Sequence, residues 1–341
     1  MINLFSDTQT EPTPDMRRAM ADAEVGDEQL GEDPTVNRLQ DMTARILGKE
    51  TALFVPSGTM CNAIAVKVHT QPGETIIADR LSHVLRSEFG GAAVISGATT
   101  DQISGERGIF ALDQLTDTLS RFSPYTPPAR LVCVEQTHNY GGGSIWPLDR
   151  LREVCNFAHG RGLTTHMDGA RLFNASVATG ISPAEYSSTF DSVWIDLSKG
   201  LGCPVGAVIA GSKAFIDKAR RVKHLLGGAM RQAGIIAAAG VYALEHHIDR
   251  LAEDHANAKL LAEGLSHIAG IRLDNPQPET NILFFDVDPI MPASDFRARL
   301  LDLGVRMSQV ARRIRAVTHM DVSRSDIERA LLLIRQALER Q

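Results

Sequence analysis

Short apolar runs alternate with longer stretches of helical spacing along most of this chain, and that rhythm constrains the fold most. "TALFVPSG" (51–58) reads as strand into turn, and "TMCNAIAVKVHT" (59–70) as the helix after it. "ETIIAD" follows as a strand, "SHVLRSEFGGA" as a helix and "AAVISG" as a strand. "LDQLTDTLSRF" is helical, "RLVCVEQTH" a strand, and "LDRLREVCNFAHGRG" a helix with a glycine stop. "LTTHMDGA", "RLFNASVATG" and the paired runs "SVWIDL" and "VGAVIAG" continue the alternation. It predicts an α/β domain on a mostly parallel sheet. The runs are continuous rather than alternating in polarity, which fits a sheet covered on both faces.

Near residue 230 the pattern changes. "RQAGIIAAAGVYALEHHIDRLAEDHANAKLLAEGLSHI" has helical spacing, as one long helix or two. Beyond it, "IRLDN", "NILFFDVD", "SDFRARLLDLGV", "IRAVTHMD" and "SRSDIERALLLIRQALER" predict a small α+β unit. Residues 1–20 show little regular signal before "PTPDMRRAMADAE" and are expected to form an arm. The expected division is an arm (1–20), a large α/β domain (21–245) and a small C-terminal α+β domain (246–341).

The 341 residues, 43% hydrophobic and 22% charged, suffice for a full core. The formal charge of −6 and the short basic clusters at 218–224 and 311–315 give no nucleic-acid footprint. No apolar run is long enough to span a bilayer, and the start "MINLFSDTQTEP" is not a secretory signal. Cys61, Cys133, Cys155 and Cys203 match no zinc-ligand spacing and read as buried free thiols. The expectation is a cytoplasmic protein without a metal site, a nucleic-acid partner or a membrane partner.

In open parallel sheets, ligands gather outside the carboxyl ends of the strands. The residues just after the expected strands are Ser57, Gly58 and Thr59; His83; His138 and Asn139; Asp168 and Arg171; and Lys199. Small residues at the start of a helix suit an anion, because free N–H groups point at it. Neither the P-loop nor the dinucleotide glycine pattern is present. Lys199 stands on a Ser-Lys-Gly turn between two apolar strands, a place lysines avoid unless the amine has a task. An anion cradle, a carboxylate and a lysine in that chain order suggest pyridoxal 5'-phosphate (PLP). The plain alternatives are a helix cap for Asp168, a core imidazole for His138, a helix start for His83 and a local ion pair for Arg231.

The chain resembles the L-threonine aldolases of the fold-type I PLP enzymes. The motifs that carry this are "SDTQTEP", "VGDEQLGEDPTVNRLQ", "GKETALFVPSGTMCN", "EQTHN", "HMDGARLFNA", "LSKGLGCPVG", "GGAMRQAGIIAAAG" and "VTHMDVS", in family order from residue 6 to about 323. The resemblance implies a fold-type I architecture and retro-aldol cleavage of a β-hydroxy-α-amino acid, such as L-threonine or L-allo-threonine, to glycine and an aldehyde. It implies that Lys199 holds the cofactor as a Schiff base and that Asp168 pairs with the pyridine nitrogen. Gly58 and Thr59 would bind the phosphate, and His83 would stack on the ring. His83 or His138 would serve the substrate hydroxyl. Arg171 and Arg315 would hold the substrate carboxylate, with Ser6 close by. Arg231 would reach a neighbouring subunit's cofactor, which implies a homodimer with shared sites, or a homotetramer of two such dimers.

Some positions depart from the family pattern. Leu30 stands where tyrosine is common, and Gln9 and Glu11 are unusual in their motif. "THNYGGGSIWP" is longer than is common, so Tyr140 and three glycines are expected to form an altered, mobile loop beside His138. These departures keep open a phenylserine-type aldolase. Other PLP chemistry, β-elimination or transamination, is the second reading, and a non-catalytic metabolite-binding protein the third.

Overall fold

In the computed structural model, which describes residues 1–287 and 290–339, the strands in chain order are β1 (Ile2–Leu4), β2 (Thr51–Val55), β3 (Thr75–Asp79), β4 (Thr99–Ile103), β5 (Ala129–Glu135), β6 (Thr164–Gly169), β7 (Ser192–Asp196), β8 (Ala207–Gly211), β9 (Arg272–Leu273), β10 (Ile282–Asp286), β11 (Val305–Val310) and β12 (Arg313–Val317). Seven of them form one sheet in the order β2-β8-β7-β6-β5-β3-β4. The run from β7 to β4 pairs in parallel, and β8 alone is reversed against both β7 and β2. The mixed, mostly parallel α/β architecture predicted from the alternation is therefore present.

The sheet forms because its middle strands are apolar but for their ends. Every residue of β3, β7 and β8 is buried. Helices cover both faces, and each fully buried valine, leucine or isoleucine contributes about 1.5–3 kcal/mol. Ser57 caps the helix Gly58–His69 by accepting from Met60 N–H at 3.3 Å. Gly48 ends the helix Pro34–Leu47 in the left-handed region, at φ 61°.

The second sheet runs β1-β11-β12-β10-β9, antiparallel except for the parallel pair β1/β11. Its own core includes Phe285, Phe296, Ile314 and Ile327. Thus residues 1–20 do not begin as an irregular arm: Ile2–Leu4 add an edge strand to the smaller sheet. Three residues are too few to show a period, so that pairing was invisible in the pattern.

Two further expectations resolve. The apolar stretch after residue 230 is two helices, Gly234–His246 and Leu251–Ser266, broken at His247–Arg250. "AAVISG" is not a strand: Gly91–Ser96 form a helix held between Gly90 and Gly97, both left-handed. The edge strand that follows is the polar "TTDQI", largely exposed and so without an apolar signal. Asp288 and Arg340, at the ends of two expected elements, lie outside the described residues. Among the described residues no helix is long and apolar enough to cross a membrane.

Candidate active site

Four neighbouring strands of the large sheet carry an acid at their carboxyl ends: Asp79 on β3, Glu135 on β5, Asp168 on β6 and Asp196 on β7. All four are buried. Carboxylates so placed need cations or donors around them, and their partners define the site.

Asp168 Oδ2 accepts from Asn62 Nδ2 at 2.8 Å, and its Oδ1 accepts from Ala170 N–H at 3.1 Å. The same Asn62 Nδ2 donates to Glu88 Oε1 at 2.6 Å. Asn62 is fixed in turn by Trp194 Nε1–H, which donates to its Oδ1 at 2.8 Å. His166 Nε2 also meets that oxygen, at 3.1 Å. Burial pushes the His166 pKa down to about 3, so the ring is neutral and donates there. Burial, with the charge of Glu135 added, pushes the Asp168 carboxyl up, against His83 and Lys199.

His83 opens the short helix His83–Arg86. Its backbone N–H donates to Glu135 Oε2 at 2.7 Å, and its Nδ1 meets Glu88 Oε1 at 2.8 Å. Burial disfavours its cation, but the Glu88 hydrogen bond and the charges of Asp168, Glu135 and Glu88 prevail and raise its pKa. The side chain stays 33% exposed, so it faces both the acids and the crevice.

Lys199 lies on the turn after β7, 15% exposed, with Nζ 2.8 Å from Asp196 Oδ2. Nζ also lies 5.6 Å from the centre of the Trp194 ring. Gly58 packs against that same tryptophan. A Cβ at Gly58 would fall 2.4 Å from Trp194 Cη2 and 3.1 Å from Asp196 Oδ2. The helix start with exposed Ser57 and Thr59 therefore adjoins the strand that presents the lysine.

A second cluster joins the two sheets. Arg171 is buried and donates through Nε and Nη2 to the two oxygens of Asp7, at 2.6 and 2.7 Å. The guanidinium holds the Asp7 carboxyl far below the usual carboxylate range, although burial alone would raise it. Asp7 also accepts from Asn281 Nδ2 at 3.1 Å, and Ser6 Oγ lies 3.4 Å from Asp7 Oδ1. Arg315, on β12, donates to Asn139 Oδ1 at 2.7 Å and to the Phe5 carbonyl at 3.3 Å. Its buried Nε has no partner, and no carboxylate among the described residues pairs with it. Burial and the charge of Arg171 bring its pKa down to about 10. This is a buried cation fit for an anion from outside the chain.

His138 is placed differently. It is fully buried, with Nδ1 accepting from Gly141 N–H at 3.1 Å and Nε2 facing Asp79 Oδ1 at 3.4 Å. The structure sets it under the 138–144 turn, its Nε2 also 3.9 Å from Glu135 Oε2, so that it faces two of the strand-end acids. That turn is not the loose loop expected. Gly143 N–H donates to the His138 carbonyl at 3.0 Å, and the Gly143 carbonyl accepts from Thr280 at 2.8 Å. The Gly141 carbonyl accepts from Arg107 Nε at 3.1 Å. The glycines serve close approach: a Cβ on Gly141 would lie 2.0 Å from the Arg107 carbonyl oxygen. Arg231 is 63% exposed and pairs with Asp27 at 2.8 Å, and no contact draws it to either cluster.

The sequence reading missed Asp7, Asn62, Asp79, Glu88, Glu135 and Asp196. The strand-end acids were in plain sight, in "TIIAD", "VCVE" and "WID". Asn62 and Glu88 carried no such signal, since a helical asparagine and a loop glutamate are ordinary surface residues until packing buries them.

A family model described as beta-eliminating lyase matches residues 3–288. A curated relative from Arabidopsis thaliana, "Low-specificity L-threonine aldolase 1", is 41% identical over 99% of this chain and 96% of its own length. The solved threonine aldolase of Leishmania major superposes with a TM-score of 0.85 at 21% identity, over 99% of this chain and 100% of that one. A serine palmitoyltransferase from S. paucimobilis, described with bound PLP–myriocin, superposes with a TM-score of 0.78 at 19% identity, over 98% of this chain and 87% of that one.

Proposed function

This chain belongs to the beta-eliminating lyase family and, within it, to the L-threonine aldolases; from that premise we propose that it is a PLP-dependent aldehyde-lyase cleaving L-threonine, L-allo-threonine or a related β-hydroxy-α-amino acid to glycine and an aldehyde. One observation carries the reading: Asp168, buried among other strand-end acids and held by Asn62, stands beside the strand that ends at Lys199. A buried carboxylate beside an amine would hold a protonated pyridine nitrogen, and so the residues present fit PLP.

When bound, PLP supplies an electron sink for the bond between Cα and Cβ. Lys199 provides the amine that anchors it. Asp168, held by Asn62, keeps a ring nitrogen protonated. The N–H groups at Gly58 and Thr59 and the positive end of their helix receive the phosphate. Arg315 takes the substrate carboxylate by charge-assisted hydrogen bonds, with Arg171 and Ser6 beside it. Because the His83 Nδ1 proton goes to Glu88, Nε2 is left as an acceptor toward the crevice. It takes the proton of the β-hydroxyl as the carbon–carbon bond breaks, and Glu88 steadies the imidazolium that forms. His138, buried beneath its turn against Asp79 and Glu135, is the second imidazole that would serve that hydroxyl.

The same reading divides the chain into segments 1–20, 21–245 and 246–341, the first of which adds Ile2 and Leu4 to the core of the last. It includes a homodimer with shared sites, or a homotetramer, in which the exposed Arg231 turns to a partner's cofactor. A cytoplasmic setting agrees with four free, buried cysteines.

Product analysis tests the reaction. Incubation of the PLP-loaded protein with L-threonine should release glycine and acetaldehyde in equimolar amounts. Ammonia with a keto acid, or a cofactor converted to its amine form, would replace this reading with elimination or transamination.

A further inference from the structure

Tyr140 stands between the two groups that would fix a substrate. Its hydroxyl lies 3.3 Å from Ser87 Oγ, at the end of the helix that His83 begins. Its ring packs against the apolar cluster that Ile282, Phe284 and Val317 form on the smaller sheet. Phe284 is the register partner of Arg315, and Val317 lies two residues from Arg315 along β12. Alternation along a strand puts Arg315 and Val317 on one face. Asn139, the residue before Tyr140, accepts from Arg315 itself at 2.7 Å. Tyr140 thus spans from the apolar cluster beside Arg315 on the smaller sheet to the end of the His83 helix.

The ring cannot swing aside freely. One end is tied to Ser87 and the other is packed on the apolar cluster, and the turn that carries it is held by Arg107, Thr280 and the Asn139 N–H donating to Glu135 at 2.8 Å. On the proposed reading, a substrate with its carboxylate on Arg315 and its β-hydroxyl at His83 lies between the two groups that Tyr140 and its neighbour Asn139 reach.

We propose that Tyr140 is the specificity-determining residue of the site: its ring, fixed by Ser87 and Phe284, closes the space for the β-substituent, so that a methyl-sized group enters and an aryl group is resisted. The proposal rests on the retro-aldol reading above and narrows its substrate class to small β-hydroxy-α-amino acids.

Tyr140→Ala, loaded with PLP, should raise the kcat/KM ratio of phenylserine over threonine on the order of tenfold relative to the wild type. Tyr140→Leu, which keeps an apolar contact with Phe284, should move the ratio the same way by less. L-phenylalanine and L-alanine, which have no hydroxyl to lose, report binding alone through the cofactor absorbance. Their Kd ratio should shift toward phenylalanine in both variants. Ratios within about twofold of the wild type in both variants, or equal losses with both substrates, would overturn the proposal. A wild type that releases glycine from neither substrate would instead sink the retro-aldol reading, while the phenylalanine-to-alanine binding ratio still decides the case of Tyr140.

Discussion

His83 meets Glu88 across 2.8 Å, and the same glutamate shares Asn62 with Asp168. This arrangement fixes which imidazole nitrogen faces the crevice and favours the protonated ring. A base must be neutral to act, so activity should rise as pH climbs through a His83 pKa above the ordinary value of about 6.5. Glu88→Gln removes one of the negative charges that hold the proton. The acid limb of kcat/KM in that variant should therefore move to lower pH, and the His83 ring, followed by NMR, should titrate lower as well. A limb that stays in place would assign it to another group. At this scale the sequence was half legible. Lys199 stood out because an amine between two buried strands has little other reason to be there, and Asp168 and His83 because they follow strands. Asp7 did not stand out: its reason is Arg171, 164 residues away, and no local spacing announces such a pair.

The strand-to-helix turn at Ser57–Thr59 shows what an element adds. Its backbone N–H groups serve an anion only if the turn can approach β7 closely, and Gly58 allows that approach. An alanine there would place Cβ 2.4 Å from the Trp194 ring and close to Asp196, the partner of Lys199. Overpacking of this kind costs about 1–3 kcal/mol. Gly58→Ala should thus weaken PLP affinity by about tenfold or more, read by equilibrium titration of the absorbance. Unchanged affinity would remove this turn from the phosphate site. Element type was mostly legible because buried strands and amphipathic helices differ in period and length. It failed at "AAVISG", where a short apolar helix looks like a strand and the true edge strand is polar. It failed again in the turn at 138–144, where three glycines suggested looseness. They allow backbone to pack on backbone instead.

Across the whole molecule, the site is assembled from the chain's two ends and its middle. Ser6 and Asp7 follow a strand of the smaller sheet, Arg315 belongs to that sheet, Asp168 lies at the end of a strand of the larger one, and Lys199 follows the strand beside it. Arg171, Asp7 and Asn281 tie the sheets together. The alternating pattern made the large sheet legible, but not the closure of the small sheet against it. That closure rests on a three-residue strand and on pairings more than 270 residues apart. The central claim is that Lys199 anchors PLP opposite Asp168, and the visible absorbance of the PLP-loaded protein, compared with that of Lys199→Ala, tests it most directly. The account predicts a visible band in the wild type that the variant lacks, together with loss of glycine release. A variant that keeps both the band and the turnover would contradict it.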